Sequence, residues 1–329
     1  MSEMNQLISE FPNNFLEAKE IALKANFQQP KNEIHNIVIC GMGGSGIGGS
    51  LVAKWLENEL SVSVTVVKDY SLPAFISKNS LVIGSSYSGN TEETISAVKE
   101  AVAKGAHIIG ITSGGKMLEL CKSKAFDVVV VPGGNPPRTA LAFSIVQLVN
   151  IFIQLGMANG KRMDEMMAGQ QLIVKEEAGI KAEARKLAEY LTGKVGIWYG
   201  TSDYEPVLVR ARQQFNENGK ALGWSHSIPE MNHNELVGWG GGDERFAAVF
   251  IDTKGNHTRN DKRIEITKSK IEAYSTVHSI QAKGESQIEQ SIYIINIVDW
   301  ASLYLAEMEN TDPIDITVID FLKSELSKF

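Results

Sequence analysis

Between Ser85 and Thr91 the chain reads Ser-Ser-Tyr-Ser-Gly-Asn-Thr, which sets several hydroxyls and a glycine at the start of a helix-periodic stretch, 91–104. The unpaired N–H groups of a helix's first turn and the positive end of its dipole favour an anion there. The hydroxyls of Ser86, Ser88 and Thr91 can donate further hydrogen bonds. A terminal phosphate, with three oxygens to satisfy, suits that density of donors, and a pyrophosphate on a nucleotide-binding turn does not require it. Earlier in the chain, GMGGSG at 41–46 follows an apolar run and opens a helix, so it fits the G-x-G-x-x-G dinucleotide fingerprint. Asp69 ends the next strand, where a ribose-binding acid would stand. Against a dinucleotide stand Ser45 at the helix entrance, the small Gly48, Gly49 and Ser50 beyond it, and a second half without an oxidoreductase pattern. Each loop alone also reads as helix capping and tight turning. Together, after successive parallel strands, Gly44, Ser45, Ser86, Ser88 and Thr91 point to a small phosphorylated ligand at the carboxyl ends of a sheet.

Three further residues could carry proton transfer or charge. Glu217 follows a helical stretch, 207–215, in Asn216-Glu217-Asn218-Gly219. A carboxylate there sits near the negative pole of the helix, which disfavours its charge and suits a base working near neutral pH. By position alone it equally reads as a solvated loop glutamate. His233 lies in Pro229-Glu230-Met231-Asn232-His233-Asn234-Glu235, where a histidine is commonly a cap or surface residue, although imidazole exchanges its proton near pH 7. Arg138 follows Pro136-Pro137 at a helix start, where the dipole does not favour a cation, which hints at another task. The remaining histidines, His35, His107, His226, His257 and His278, have no motif around them and read as structural. No group of side chains has metal-ligand spacing, so no metal is expected. Cys40 and Cys121 are far apart, make no disulfide framework, and read as small core residues.

The elements that must position these residues alternate strand and helix. Strands are expected at 36–40, 62–67, 81–84, 107–111 and 128–131, with helices at 45–59 and 91–104 and one between the last two strands. The pattern argues for a parallel sheet covered on both faces. Residues 1–30 read as helical, interrupted near Pro12. Helices are expected at 138–155 and 164–190, then strands at 195–199, 246–251 and 277–282, and closing helices at 287–308 and 314–328. NIVICGMGGS at 36–45 echoes KVGIWYGTSD at 194–203, and LVIGSSYSGNTEE at 81–93 echoes AVFIDTKGNHTRN at 248–260. A duplicated α/β unit follows, divided near residue 160 between Gly160 and Lys161. The 329 residues suffice for two domains, with 43% hydrophobic and 22% charged residues, as in ordinary globular chains. The formal charge of −7 makes nucleic acid and anionic membrane poor partners, so an anionic ligand needs a local site. No apolar run reaches the roughly 18 residues of a membrane span. The opening residues carry acids and a proline rather than a signal peptide's apolar core, so the expected location is the cytoplasm.

In this order GMGGSGIGG, SSYSGNTEET, NPPRTALA, FNENGKA and PEMNHNELVGW resemble the bifunctional phosphoglucose/phosphomannose isomerases of the phosphoglucose isomerase superfamily, over residues 36–240 with a compatible C-terminal tail. SYSGNTEET alone would mark only a sugar-isomerase (SIS) domain; PPR, NENGKA and NHNE together are more specific. The resemblance implies an α/β fold of two SIS domains, each a parallel β-sheet flanked by α-helices in flavodoxin-like layers, at 1–160 and 161–329. It implies interconversion of an aldose and a ketose 6-phosphate through an enediolate, with no cofactor. By resemblance Glu217 is the base, His233 assists ring opening from the neighbouring subunit of a homodimer, and Arg138 stabilises the enediolate. Lys323, in Phe321-Leu322-Lys323, matches a catalytic lysine of the family's last helix, with Lys328 as competitor. Thr317 is a candidate for tolerance of both C2 epimers. A sugar-phosphate sensor is the rival reading; it would keep the serine loop but not need Glu217 and His233.

Overall fold

The computed structural model describes residues 2–329. Helices α1 (Glu3–Ser9) and α2 (Phe11–Lys24) open it, with Pro12 in the first turn of α2, where a missing N–H costs nothing. There follow β1 (Asn36–Cys40), α3 (Gly43–Trp55), β2 (Ser63–Val67), β3 (Ser80–Ser86), α4 (Glu92–Ala103), β4 (His107–Thr112), α5 (Gly115–Lys124) and β5 (Asp127–Val130). A 3-10 turn, Pro137–Thr139, leads to α6 (Leu141–Gln154), α7 (Lys161–Lys175) and α8 (Glu177–Leu191). Next come β6 (Val195–Thr201), α9 (Glu205–Glu217), β7 (Gly223–Ile228), a 3-10 turn Glu230–His233, α10 (Glu235–Gly238), β8 (Phe246–Asp252), α11 (Thr258–Ile271) and β9 (Val277–Gln281). The long α12 (Gln287–Met308) and α13 (Thr317–Leu326) close the chain.

Two compact units form. The N-terminal unit comprises residues 9–174 with 286–292, and the C-terminal unit comprises 2–8, 175–285 and 293–329. In the N-terminal unit five parallel strands take the order β2-β1-β3-β4-β5. Cys40 lies opposite Val67 on one side and Gly84 on the other, so β1 is an interior strand, and its NIVIC run is buried after the first residue. Such a strand, covered on both faces, needs a continuous apolar run rather than alternation. One face carries a core of Val38, Val82, Ile95, Val98, Met117 and Cys121. Helix α6 is buried from Leu141 through Phe152. Its polar Gln147 and Asn150 donate to the carbonyls of Ala18 (2.7 Å) and Ala22 (3.1 Å) on α2, so their amide nitrogens are paired inside the core, while the Gln147 Oε1 has no partner.

The C-terminal unit has four parallel strands in the order β7-β6-β8-β9. Ile197, Tyr199, Ile228, Met231, Trp239, Phe250 and Ile264 fill one of its cores. In both sheets the strand order reverses beside the first strand, between β1 and β3 and between β6 and β8. Ligands of such sheets bind at that reversal, outside the carboxyl ends of the strands.

Three elements differ from the sequence expectation. The edge strand β7 was not expected, because Trp224, Ser225, His226 and Ser227 present no β-branched run. The helix expected at 164–190 is two helices broken at Glu176 (φ −96°, ψ 9°), without a glycine or proline to mark the break. The helix expected from Arg138 starts at Leu141; Pro136 and Pro137 hold Arg138 and Thr139 in a 3-10 turn.

Candidate active site

The strand reversal of the N-terminal unit places the loop after β1 beside the loop after β3. Ser45, 7% exposed, accepts from the Tyr87 N–H at 3.2 Å and so joins the two loops. Gly44 packs against the Pro137–Thr139 turn. A Cβ there would stand 2.7 Å from the Pro137 carbonyl oxygen and 3.7 Å from the Arg138 Cα. Any larger residue would push the arginine-bearing turn away. Gly89 has φ +70°, and a Cβ would meet the Gly114 carbonyl, so this turn needs glycine for both conformation and space.

The hydroxyls divide into structural and presented ones. Ser86, buried at the end of β3, donates to the Thr91 Oγ1 at 2.9 Å. Thr91, at the N-cap of α4, makes no capping bond with its own side chain. Ser88 is exposed, and its hydroxyl oxygen accepts from the Asn90 N–H at 3.3 Å, so the hydroxyl can still donate. Arg138 is 3% exposed, a buried guanidinium beside the glycine loop. The structure thus gathers Gly44, Ser45, Ser86, Ser88, Thr91 and Arg138 at one end of one sheet.

Sequence reasoning missed Tyr87. Its hydroxyl accepts from the Asn135 N–H at 3.3 Å, and its carbonyl accepts from the Ser113 N–H (2.9 Å) and hydroxyl (2.7 Å). Burial raises the Tyr87 phenol above its ordinary range, with the Asn135 N–H opposing. It ties the serine loop to the segment before Arg138. Its signal was an aromatic residue amid small polar ones. Asp69, the candidate ribose acid, caps the Tyr70 N–H at 2.6 Å.

Glu217 lies half-buried in the last turn of α9 rather than beyond it. Its helix is fixed from within the C-terminal unit. Arg210 Nη2 donates to both carboxylate oxygens of Asp299 on α12, at 3.0 and 3.3 Å, and Gln214 Nε2 donates to the same carboxylate at 2.7 Å. The fully buried Asn218 donates to the Ser302 Oγ at 3.0 Å. These residues recur at every fourth position, so one stripe of α9 faces α12. On the other flank, Asn216 Nδ2 donates to the Ala221 carbonyl at 2.8 Å. Lys220, with φ +53°, donates to the carbonyls of Glu217 (2.6 Å) and Asp315 (2.8 Å). The NENGK run is therefore a helix end in which every neighbour of Glu217 is tied down.

His233 ends the 3-10 turn after β7 and is exposed. Lys323 and Thr317 lie on α13, a helix with no buried side chain; the Lys323 ammonium is 3.7 Å from the Asp320 carboxylate. Glu217, His233 and Lys323 thus stand on three separate elements of the C-terminal unit. Among the other histidines, His278 meets Glu183 at 2.8 Å and the His257 Nδ1 accepts from the Arg259 N–H at 3.1 Å, whereas the Nε2 of His107 is buried with no hydrogen-bond partner. Among the described residues, no group of three or more His, Cys, Asp and Glu side chains could hold a metal ion, and no helix is long and apolar enough to cross a membrane.

Two family models match the chain: the SIS domain over residues 32–131 and the bacterial phospho-glucose isomerase C-terminal SIS domain over residues 180–326. The interval between them contains both the expected division near 160 and the limit of the compact unit at Val174. The chain is 34% identical, over 100% of its length and 99% of the relative, to a bifunctional phosphoglucose/phosphomannose isomerase of Aquifex aeolicus. It is 35% identical to the protein of that name from Caldicellulosiruptor bescii, over 99% of both chains. The fold is also that of the tagatose-6-phosphate ketose/aldose isomerase of Escherichia coli, with a TM-score of 0.75, 15% identity, and 95% and 94% of the two chains covered. With full-length relatives above 30% identity and an SIS domain matched in each half, the chain belongs to the bifunctional phosphoglucose/phosphomannose isomerase family.

Proposed function

We propose that this protein interconverts glucose 6-phosphate, and also mannose 6-phosphate, with fructose 6-phosphate through an enediolate. The observation that carries this reading is the set of donors at the β1/β3 reversal. Backbone N–H groups at the start of α4, the exposed Ser88 hydroxyl and the buried Arg138 make a local anion site in a chain of formal charge −7. The phosphate is held by Gly44, Ser45, Ser88 and Thr91, with Ser86 orienting Thr91.

Isomerisation then needs a base that takes a proton from one carbon and returns it to its neighbour. Glu217 takes the C2 proton of the aldose and returns it to C1, while a proton moves from O2 to O1. Arg138, together with Lys323, stabilises the enediolate. His233 moves a proton between O1 and O5 as the ring opens. No step in this scheme calls for a cofactor.

The rest of the reading rests on the family. The active form is a homodimer whose subunits share sites, located in the cytoplasm, with SIS domains at 1–160 and 161–329. The exposed apolar side chains of α13, Val318 (80%), Phe321 (66%) and Leu322 (58%), support an assembly that covers them. The test is Glu217→Gln, which removes the base and keeps the shape. It is expected to fold, to bind fructose 6-phosphate with unchanged affinity, and to lose isomerisation. A Gln variant that still isomerises at the wild-type rate removes Glu217 from the mechanism.

A further inference from the structure

His233 is exposed, and the segment that carries it has little regular structure of its own. Residues 229–241 consist of a 3-10 turn, a four-residue helix and a second 3-10 turn. Such short turns do not hold a position by backbone hydrogen bonds alone. Side chains on either flank of His233 do so instead. Met231 (0% exposed) and Trp239 (4% exposed) enter the core of the C-terminal unit, and Asn232 donates to the Thr267 Oγ1 at 2.8 Å.

Glu235, two residues after His233, binds the segment most firmly to the sheet. One carboxylate oxygen accepts from the Tyr199 hydroxyl of β6 and, at 2.9 Å, from the Trp224 Nε1 of β7. The other meets the His226 Nδ1 of β7 at 2.7 Å. Trp239 closes the circuit by donating to the Tyr199 hydroxyl at 2.9 Å. Trp224 and His226 alternate along β7, so both point to the face this segment covers. A carboxylate only 22% exposed among aromatic side chains is costly unless its oxygens are satisfied. Here they are satisfied by three donors from two strands, a network whose members depend on one another.

We propose that Glu235 is a positioning residue for His233: by gathering Tyr199, Trp224 and His226 it fixes the turn that presents the imidazole to the substrate. The inference rests on the reading of His233 as the ring-opening group. It also gives a task to His226, which has no motif of its own: its Nδ1 contact sets the imidazole against the carboxylate and helps hold the turn.

The experiment measures kcat and KM for fructose 6-phosphate in Glu235→Ala, His233→Ala and the double variant, each checked for folding by circular dichroism. General acid–base assistance is worth roughly a hundredfold or more, so both single variants are expected to lose about that much kcat with KM changed less than about twofold. The double variant is expected to be no slower than His233→Ala, as for two residues acting through one group. Glu235→Gln, which keeps an acceptor for Tyr199 and Trp224, recovers most of the rate. Full kcat in Glu235→Ala beside a slow His233→Ala overturns the inference and leaves the reading of His233 standing. Losses that multiply in the double variant, or a Gln variant as slow as the Ala one, also overturn it. Wild-type kcat in His233→Ala removes the reading itself and the inference with it. Should Glu235→Ala not fold, Trp224→Phe, which takes away one donor, decides the matter: a several-fold loss of kcat, absent on a His233→Ala background, supports it, and unchanged kcat overturns it.

Discussion

Arg210 and Asp299 form a buried ion pair beneath the helix that carries Glu217, with Nη2–Oδ distances of 3.0 and 3.3 Å and exposures of 2% and 4%. Burial raises the Asp299 carboxyl, opposed by the Arg210 guanidinium and the Gln214 amide. Removing one partner of such a pair strands the other's charge, at a cost of roughly 3–5 kcal/mol. Asp299→Ala is therefore expected to lower the urea midpoint markedly, whereas the paired change Arg210→Met with Asp299→Leu recovers much of the loss. An Asp299→Ala protein as stable as wild type would show that the pair does not fix α9.

Ser88 is the exposed hydroxyl of the serine loop, bonded to its own loop only as an acceptor. Ser88→Ala should therefore leave the fold intact and remove one donor to the phosphate. A hydrogen bond to a charged group worth about 1.5 kcal/mol corresponds to roughly a tenfold rise in KM with kcat little changed. Steady-state kinetics checks this, and an unchanged KM would place the phosphate elsewhere.

The two cysteines are expected to be inert in the native state. Burial pushes the Cys40 thiol up to about 12, with the Glu100 charge adding to it, and burial pushes Cys121 up to about 11. The thiolate is the reactive form, and with the thiol at about 11 only roughly one buried Cys121 in a thousand is ionised at pH 8. Titration with an aromatic disulfide reagent should find no fast-reacting thiol in the native protein and both after denaturation. A fast native thiol would contradict the packing of β1 or α5.

The proposed sharing of sites between subunits predicts complementation. Glu217→Gln protein, inactive alone, and His233→Ala protein, slowed roughly a hundredfold, should together regain activity when mixed under conditions of verified subunit exchange. A mixture no faster than its two components despite exchange places both residues of a working site in one chain.

What could be read from the sequence follows from how local each feature is. Glu217 stood out only through the resemblance of NENGK to a family motif, whereas the loop Ser85–Thr91 and the run 41–46 carry their donors in consecutive residues after apolar runs, so both turns were legible. Their supports were not. Asp299 finds Arg210 across 89 residues, and Glu235 reaches Tyr199 across 36, with nothing in either local pattern to announce the pairing. Strand β7 was illegible for a similar reason: as an edge strand it keeps polar Ser225, His226 and Ser227, and the Glu235 network beneath it exists only in the folded chain. The echo between 81–93 and 248–260 was a true repeat of strand and turn, yet its asparagines differ in use. Asn90 reaches the start of α5 and accepts from the Lys116 N–H at 3.1 Å, whereas Asn256 receives the hydroxyls of Thr201 (3.2 Å) and Thr253 (3.0 Å) at the second sheet's own reversal.

The most direct test of the central claim is proton NMR of chelator-treated protein with fructose 6-phosphate in D₂O. Transfer through an enediolate, with a base that exchanges its proton with solvent, predicts both glucose 6-phosphate and mannose 6-phosphate carrying deuterium at C2. No product, together with no loss of a C1 proton from fructose 6-phosphate, would contradict it.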